Sequence, residues 1–251
     1  GFMATGVKIA AFAALVRMLF EVFPAYEQYW QPVIGVLAVA TMIVGNLVAL
    51  AQRTLKRMLA YSSVAHAGYL LAAIWPGTRL SAAAVLFYLL AYSLTTLAAF
   101  ALLASLGREG ERDVRFEDVA GLATARPWTA LGLAVCMLSL LGFPGTIGFI
   151  GKWYILQSLV AESHYILPIV LVITSVISAG YYLPVIMSMY MRPAPAAPGY
   201  ANLGLSAAGA AVVAICLVAV VVLGVLPAET IDATLRSANT LVRTLGLAGS
   251  P

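Results

Sequence analysis

Three ionisable side chains lie within stretches that are otherwise apolar: Lys8, His66 and Lys152. A charged side chain at the middle of a bilayer costs at least about 2.5 kcal/mol, so groups placed there commonly face a polar interior and serve a function. Desolvation disfavours the charged form of a lysine, and histidine exchanges protons near neutral pH. No carboxylate accompanies the three, since the acidic residues fall in polar stretches or at the ends of apolar ones. These residue types predict a proton relay through side chains and trapped water.

Lys152 follows a cluster of helix-breaking residues in the segment LLGFPGTIGFIGKWYIL, residues 140–156. Four breakers fall within seven positions: Gly142, Pro144, Gly145 and Gly148. They predict an interrupted helix. In hydrocarbon each unpaired peptide group costs several kcal/mol, roughly, so an interruption persists only where protein or water satisfies the freed groups. An interruption followed at once by a buried lysine therefore indicates a functional site.

Structural explanations compete at each position. Lys8 is near the start of its segment and Lys152 near aromatic residues, so either ammonium could instead extend to the headgroups. His66 has serine and glycine neighbours and could be a hydrogen-bonded packing residue. A polar stripe in residues 88–96, which includes Tyr88 and Tyr92, more often joins helices than conducts protons.

The composition is that of an integral membrane protein. Of the 251 residues, 63% are hydrophobic and only 10% charged, against about 25% charged in soluble domains. The net charge of +4 arises from scattered cations, so it does not indicate a nucleic-acid partner. Cys136 and Cys216 lie in apolar stretches and predict no disulfide or metal site. Motifs for iron–sulfur clusters, haem or nucleotide phosphates are also missing, so any electrons travel elsewhere.

Apolar runs of about twenty residues recur along the whole chain and predict an all-α membrane protein. We predict seven spans, at about 1–22, 31–51, 57–75, 81–106, 127–160 (broken near 142–148), 166–190 and 205–226. An amphipathic tail follows at 227–251. Within the charged connection at 107–126, residues 116–119 could form a short amphipathic helix on the membrane surface. The chain opens within a span and without an initiator methionine, so we expect it to be part of a longer polypeptide.

The distribution of arginine and lysine predicts the orientation. One side collects Arg53, Lys56, Arg57, Arg108, Arg112, Arg115, Arg126 and Arg192, and the other only Arg17, Arg79, Arg236 and Arg243. The richer side, with the QRTLKR loop, is therefore expected in the cytoplasm. The C-terminal tail is expected outside, which in bacteria is the periplasm.

Three separated motifs carry a resemblance to a known family. The segments GFMATGVKIAAFAALVRML (1–19), NLVALAQRTLKRMLAYSSVAHAGYLL (46–71) and LSLLGFPGTIGFIGKWYIL (138–156) resemble the antiporter-like membrane subunits of respiratory complex I. The lysine in GFIGKWY and the AHAGY pattern resemble subunit N more than subunit M, which has an acid at the position of Lys152. Mrp-type antiporters and membrane-bound hydrogenases are further relatives.

The resemblance implies a fourteen-helix subunit with two inverted repeats, of which this chain would supply helices eight to fourteen. Lys8 would match the axial lysine of helix eight, His66 a polar position on helix ten, and Lys152 the lysine of the broken helix twelve. The family's glutamate on helix five and lysine on helix seven would belong to a missing N-terminal half. The chain alone would then hold only the outward-connecting half of a proton path.

The same resemblance implies a place in proton-translocating NADH-quinone oxidoreductase of a bacterial inner membrane, beside the other membrane-arm subunits and in contact with lipid. NAD, FMN, iron–sulfur clusters and quinone would be held by partner subunits, and this chain would hold no cofactor. Two alternatives remain open at this point. One is a cation/proton antiporter, or a hydrogenase antiporter-like subunit, and the other an inert packing subunit with paired lysines.

Overall fold

A computed structural model describes residues 2–107, 114–163, 165–194 and 204–243. These ranges are almost entirely helical, as predicted, with one isolated bridge between Thr54 and Arg115. Their α-helices are α1 (Phe2–Arg17), α2 (Glu27–Leu50), α3 (Leu55–Ile74), α4 (Arg79–Ser105), α5 (Leu122–Ala125), α6 (Pro127–Leu141), α7 (Ile147–Ala161), α8 (Ile166–Met191), α9 (Ala207–Val225) and α10 (Ala228–Arg243). A π-helical turn, Met18–Val22, extends α1, and a 3₁₀ turn, Pro24–Tyr26, precedes α2.

Four helices within the described ranges are individually long and apolar enough to cross a membrane: Pro24–Leu50, Arg79–Ser105, Ile166–Met191 and Ala207–Val225. Helices α6 and α7 are apolar but have 15 residues each, about 22 Å at 1.5 Å per residue. Each is shorter than the hydrocarbon core of about 30 Å, so only the two end to end are long enough for one crossing. The predicted seven crossings would be these four helices, the α6–α7 pair, α1 and α3. Their number stays a prediction.

The interruption between α6 and α7 confirms the predicted discontinuous helix. Gly142 follows the last residue of α6 with φ of 87°, and Gly145 repeats a left-handed φ of 89°. Glycine adopts such angles without the clash of a Cβ atom. Pro144 lies between these glycines in the turn, whereas Gly148 lies within the first turn of α7. A Cβ atom at Gly148 would be 1.8 Å from the Ser139 carbonyl oxygen, so its role is close packing of the two half-helices.

Helix α4 lies at the centre of the bundle and packs against α1, α3, α6, α7, α9 and α10. It buries alanine and large aromatic side chains together along most of its length, including Phe87, Tyr88 and Tyr92. Small residues let neighbouring helices approach closely. At the α2–α3 contact, a Cβ atom on Gly45 would be 2.5 Å from the Ala65 nitrogen. The three helices that carry Lys8, His66 and Lys152 all contact α4, so α4 fixes their relative positions.

The prediction of a surface helix at residues 116–119 is wrong. These residues form turns, and the short helix α5 begins at Leu122 instead. Val114 and Val119 are buried, and the Ser188 hydroxyl donates a hydrogen bond to the Phe116 carbonyl at 2.6 Å. The apolar side chains of this loop therefore pack against the end of the bundle rather than on lipid. Arg108 and Arg112 lie outside the described residues.

The described part of the C-terminal tail is the amphipathic helix α10. Ile231, Leu235 and Ala238 turn toward the bundle and pack on its core, while Asp232 and Arg236 are exposed. The Arg79 guanidinium at the start of α4 donates to the Asn239 side-chain oxygen. The apolar face of the tail is thus covered by protein.

Candidate functional site

Lys8, His66 and Lys152 come from α1, α3 and α7 and point into the same interior region. Tyr88 and Tyr92 of α4 lie between them. Residues separated by more than fifty positions in sequence are therefore brought together. We call Lys8, His66 and Lys152, with Tyr69, Tyr88, Tyr92 and Tyr182, the axis.

The Lys8 side chain turns toward α3 and α4. Its ammonium donates to the Ser63 carbonyl oxygen on α3. The same nitrogen lies 5.1 Å from the centroid of the Tyr92 ring, within the range of a cation–π interaction. Lys8 is half-buried, so this geometry favours a role in the interior over extension to the headgroups.

His66 has a hydroxyl partner on each ring nitrogen. Nδ1 is hydrogen-bonded to the Tyr88 hydroxyl at 2.6 Å and Nε2 to the Tyr182 hydroxyl at 3.1 Å. The histidine is only 3% exposed. A neutral imidazole donates from one nitrogen and accepts at the other, and a phenol does either. This arrangement satisfies a packing histidine, and it also allows a proton to enter at one nitrogen and leave from the other.

Lys152 uses the helix interruption directly. Its ammonium donates to the Leu141 carbonyl oxygen at 2.8 Å, and its nitrogen lies 5.0 Å from the centroid of the Tyr69 ring. Leu141 is the last residue of α6, where helical carbonyls have no partner within the helix. The residue is 6% exposed, so the break supplies an acceptor for a cation that is almost fully removed from solvent.

Aromatic contacts connect the two lysines through His66. Its ring centroid lies 5.1 Å from that of Tyr92, which Lys8 contacts, and 5.4 Å from that of Tyr69, which Lys152 contacts. Within the described residues, the buried hydroxyl of Tyr69 has no hydrogen-bond partner, whereas that of Tyr92 lies near the side chains of Thr96 and Ser63. Buried polar groups without a protein partner commonly bind ordered water, so the Tyr69 hydroxyl is a position where water can bind.

A groove of about 340 Å³ lies beside Lys152, between the interruption and α8. Its walls include Phe143, Trp153 and Ser175. The Ser175 hydroxyl is buried without a hydrogen-bond partner in the described part of the chain. Lys152 therefore faces the axis on one side and borders a mainly apolar groove on the other.

Sequence reasoning identified the three ionisable residues but not the tyrosines that join them. Tyr88 and Tyr92, four residues apart on one face of α4, were interpreted as part of a helix-joining stripe. Tyr182 gave no signal, since it contacts His66 from 116 positions away. The Leu141 carbonyl could have been inferred, because a helix ending at Gly142 must leave free acceptors beside Lys152.

Comparisons with known proteins agree with this architecture. A family model described as "NADH:quinone oxidoreductase/Mrp antiporter, TM" matches residues 1–178. NADH-quinone oxidoreductase subunit N 1 of Sorangium cellulosum is 43% identical, over 94% of this chain and 48% of that protein. Subunit N of Gemmatimonas aurantiaca is 40% identical, over 95% of this chain and 46% of its own length. The chain thus spans about half the length of the curated relatives it matches.

Solved structures show the same fold. A chain of respiratory complex I from Thermus thermophilus superposes with a TM-score of 0.79 at 36% identity, covering 93% of this chain and 50% of that one. A chain of the Mrp complex from Dietzia gives a TM-score of 0.77 at 22% identity, over 92% of this chain and 51% of that chain. With the matched motifs and the interrupted helix, these similarities establish that the chain belongs to the NADH:quinone oxidoreductase/Mrp antiporter transmembrane family, with half of its antiporter-like fold.

Proposed function

We propose that this chain is part of a subunit N in the membrane arm of NADH-quinone oxidoreductase and carries part of its proton-translocation path. The observation that carries the proposal is the axis itself. The ammoniums of the half-buried Lys8 and the buried Lys152 are each held by one backbone carbonyl and one aromatic ring, and they flank a histidine with a hydroxyl on each nitrogen. The relatives named subunit N support the assignment to this enzyme complex.

In the proposed mechanism, Lys8 receives a proton from the N-terminal half of the same subunit. His66 passes it on through its tyrosine partners and bound water, since each nitrogen contacts a group that both donates and accepts. Lys152 then releases it outward when neighbouring charges change and make its charged form less favourable. The interruption keeps Lys152 near its acceptor, the Leu141 carbonyl oxygen.

The redox chemistry belongs to other subunits in this proposal. NAD, FMN, iron–sulfur clusters and quinone would be bound there, because this sequence carries no motif for them. The partners of the chain would be the other membrane-arm subunits, its own N-terminal half and bilayer lipid. The bacterial relatives support a bacterial inner membrane as its location. The distribution of arginine and lysine supports a periplasmic C-terminal tail.

The direct test is Lys152→Ala in the complete complex, with proton pumping measured against quinone reduction. We expect pumping per electron pair to fall, because the last relay group before release is removed. Lys56→Ala is the matched control, since Lys56 lies exposed at the start of α3 and should leave pumping unchanged. Normal pumping by the Lys152 variant would remove this residue from the path.

A second candidate is a cation/proton antiporter without an enzyme partner. It is favoured by the fold shared with the Mrp complex chain from Dietzia. Sodium-dependent proton exchange in vesicles that contain the full-length protein would support it. Copurification of iron–sulfur subunits with the full-length protein would instead support the oxidoreductase.

A further inference from the structure

A second polar branch leaves the axis at His66 and does not lead toward either lysine. His66 Nε2 contacts the Tyr182 hydroxyl at 3.1 Å. The Tyr182 ring lies against Tyr181, with centroids 4.5 Å apart. The Tyr181 hydroxyl donates to the Asn46 side-chain oxygen at 2.9 Å. The branch therefore joins α3, α8 and α2 through side chains that are all buried.

The branch approaches the end of the bundle that carries the QRTLKR loop. His66 lies 11 positions after the start of α3 and Asn46 four positions before the end of α2. At about 1.5 Å per residue, these offsets place His66 about 16 Å and Asn46 about 6 Å from that end. The side chains from His66 to Asn46 thus extend along most of the distance from His66 to the QRTLKR loop.

Asn46 is an unusual residue at its position. It is fully buried, and its amide nitrogen donates to the Met42 carbonyl at 2.7 Å. Ala49, one turn nearer the loop on the same helix, is equally buried and apolar. A polar side chain in a membrane interior costs free energy unless it is hydrogen-bonded, and such residues commonly mark ion and proton pathways.

We infer that Tyr182, Tyr181 and Asn46 form a second access route, which admits protons or water to His66 from the side of the QRTLKR loop. This inference rests on the proposed function and deepens it. The resemblance alone implied that this half of the subunit connects only outward. With the branch, His66 would receive protons by two routes, one from Lys8 and one from the QRTLKR side through Asn46, Tyr181 and Tyr182.

The alternative is that the Tyr181–Asn46 bond only joins α2 to α8, as polar side chains do in many membrane bundles. A structural bond needs no water, whereas an access route must be reachable from the loop side. Accessibility of a cysteine therefore separates the two.

The test places cysteine at Asn46 or Ala49 in the complete complex and labels it with a membrane-impermeant methanethiosulfonate. The reagent is added to inside-out vesicles, which expose the predicted cytoplasmic face, and labelling is quantified by mass spectrometry of the peptide. We expect Asn46→Cys to react severalfold faster than Ala49→Cys, although Asn46 is the deeper position. Equal or slower labelling of Asn46→Cys would overturn the access route.

A second measurement tests the branch without a cysteine, which could itself alter the packing around Asn46. Tyr181→Phe removes only the hydroxyl, and Tyr190→Phe makes the same change at an exposed position of α8. We expect Tyr181→Phe alone to lower the number of protons pumped per electron pair. Unchanged pumping in Tyr181→Phe, together with loss in Lys152→Ala, would reject the branch and keep the proposed function. Normal pumping in Lys152→Ala would reject the proposed function itself.

Discussion

The two lysines of the axis are held in different ways. Lys8 lies on the uninterrupted α1 and donates to the Ser63 carbonyl within α3, an oxygen that a regular helix already pairs. Lys152 follows the interruption and donates to the Leu141 carbonyl, an oxygen that the end of α6 leaves free. Lys8 is half-buried and Lys152 almost fully buried. Breaking a helix therefore provides an acceptor for a deeply buried cation without competition from the helix's own hydrogen bonds.

Substitutions of the glycines in the interruption are expected to have the largest effect on how Lys152 is held and on proton pumping. Alanine at Gly142 or Gly145 must adopt a left-handed φ, which costs about 1–2 kcal/mol in either case. Only at Gly142 would the new Cβ atom also approach Lys152, 3.0 Å from its Cδ atom, whereas Gly145 has open space. We expect similar losses of thermal stability in the two variants, and a strong loss of proton pumping only in Gly142→Ala.

The readouts are the temperature at which the purified complex loses this subunit, and pumping in vesicles. Equal pumping by Gly142→Ala and Gly145→Ala would show that the position of Lys152 does not depend on the shape of the turn. The difference between the two lysine sites would then lie in burial alone.

The next effect is expected at His66, which ring contacts connect to the tyrosines beside both lysines, and it concerns stability more than pumping. Tyr88→Phe and Tyr182→Phe each leave one buried ring nitrogen without its hydroxyl partner, which costs about 1–3 kcal/mol. The Tyr88 bond is shorter, 2.6 Å against 3.1 Å, so we expect Tyr88→Phe to be the more destabilising in thermal unfolding of the complex. A larger loss in Tyr182→Phe would place the stronger anchor of His66 on α8 rather than α4.

The sequence predicted the interruption and the three ionisable residues better than it predicted their hydrogen-bond partners. The interruption was predictable because glycine and proline act on local backbone geometry, and hydropathy alone placed Lys8, His66 and Lys152 inside the membrane. The partners were not predictable. The carbonyl of Ser63 and the hydroxyl of Tyr182 reach the axis only through tertiary packing of α1, α3 and α8, which no local pattern encodes.

The error at residues 116–119 has a related cause. An amphipathic pattern shows that one face must be covered by apolar material, but it does not distinguish lipid from protein. Val119 is covered by the end of the bundle, and the loop needs only turns to place it there. The same ambiguity applied to the tail, where Ile231 and Leu235 also pack on protein.

The smallest change in stability is expected when the hydroxyls of Tyr69 and Tyr92 are removed. The rings of these residues contact Lys152 and Lys8, respectively. Tyr69→Phe and Tyr92→Phe keep the aromatic rings over both ammoniums, so the cation–π contacts remain. Since the Tyr69 hydroxyl has no protein partner in the described residues, we expect Tyr69→Phe to change the free energy of unfolding by no more than about 0.5 kcal/mol. Tyr92→Phe should cost somewhat more, because its hydroxyl lies near the side chains of Thr96 and Ser63.

Proton pumping should nevertheless fall in both variants if these hydroxyls hold the water that links the lysines to His66. The fall should be larger in Tyr69→Phe, because the more deeply buried Lys152 has fewer other routes to water. Tyr190→Phe, exposed at one end of α8, provides the control for the substitution itself. A clear loss of stability with normal pumping in Tyr69→Phe would contradict this account. It would mean that this hydroxyl bonds to protein and that water does not link Lys152 to His66 there.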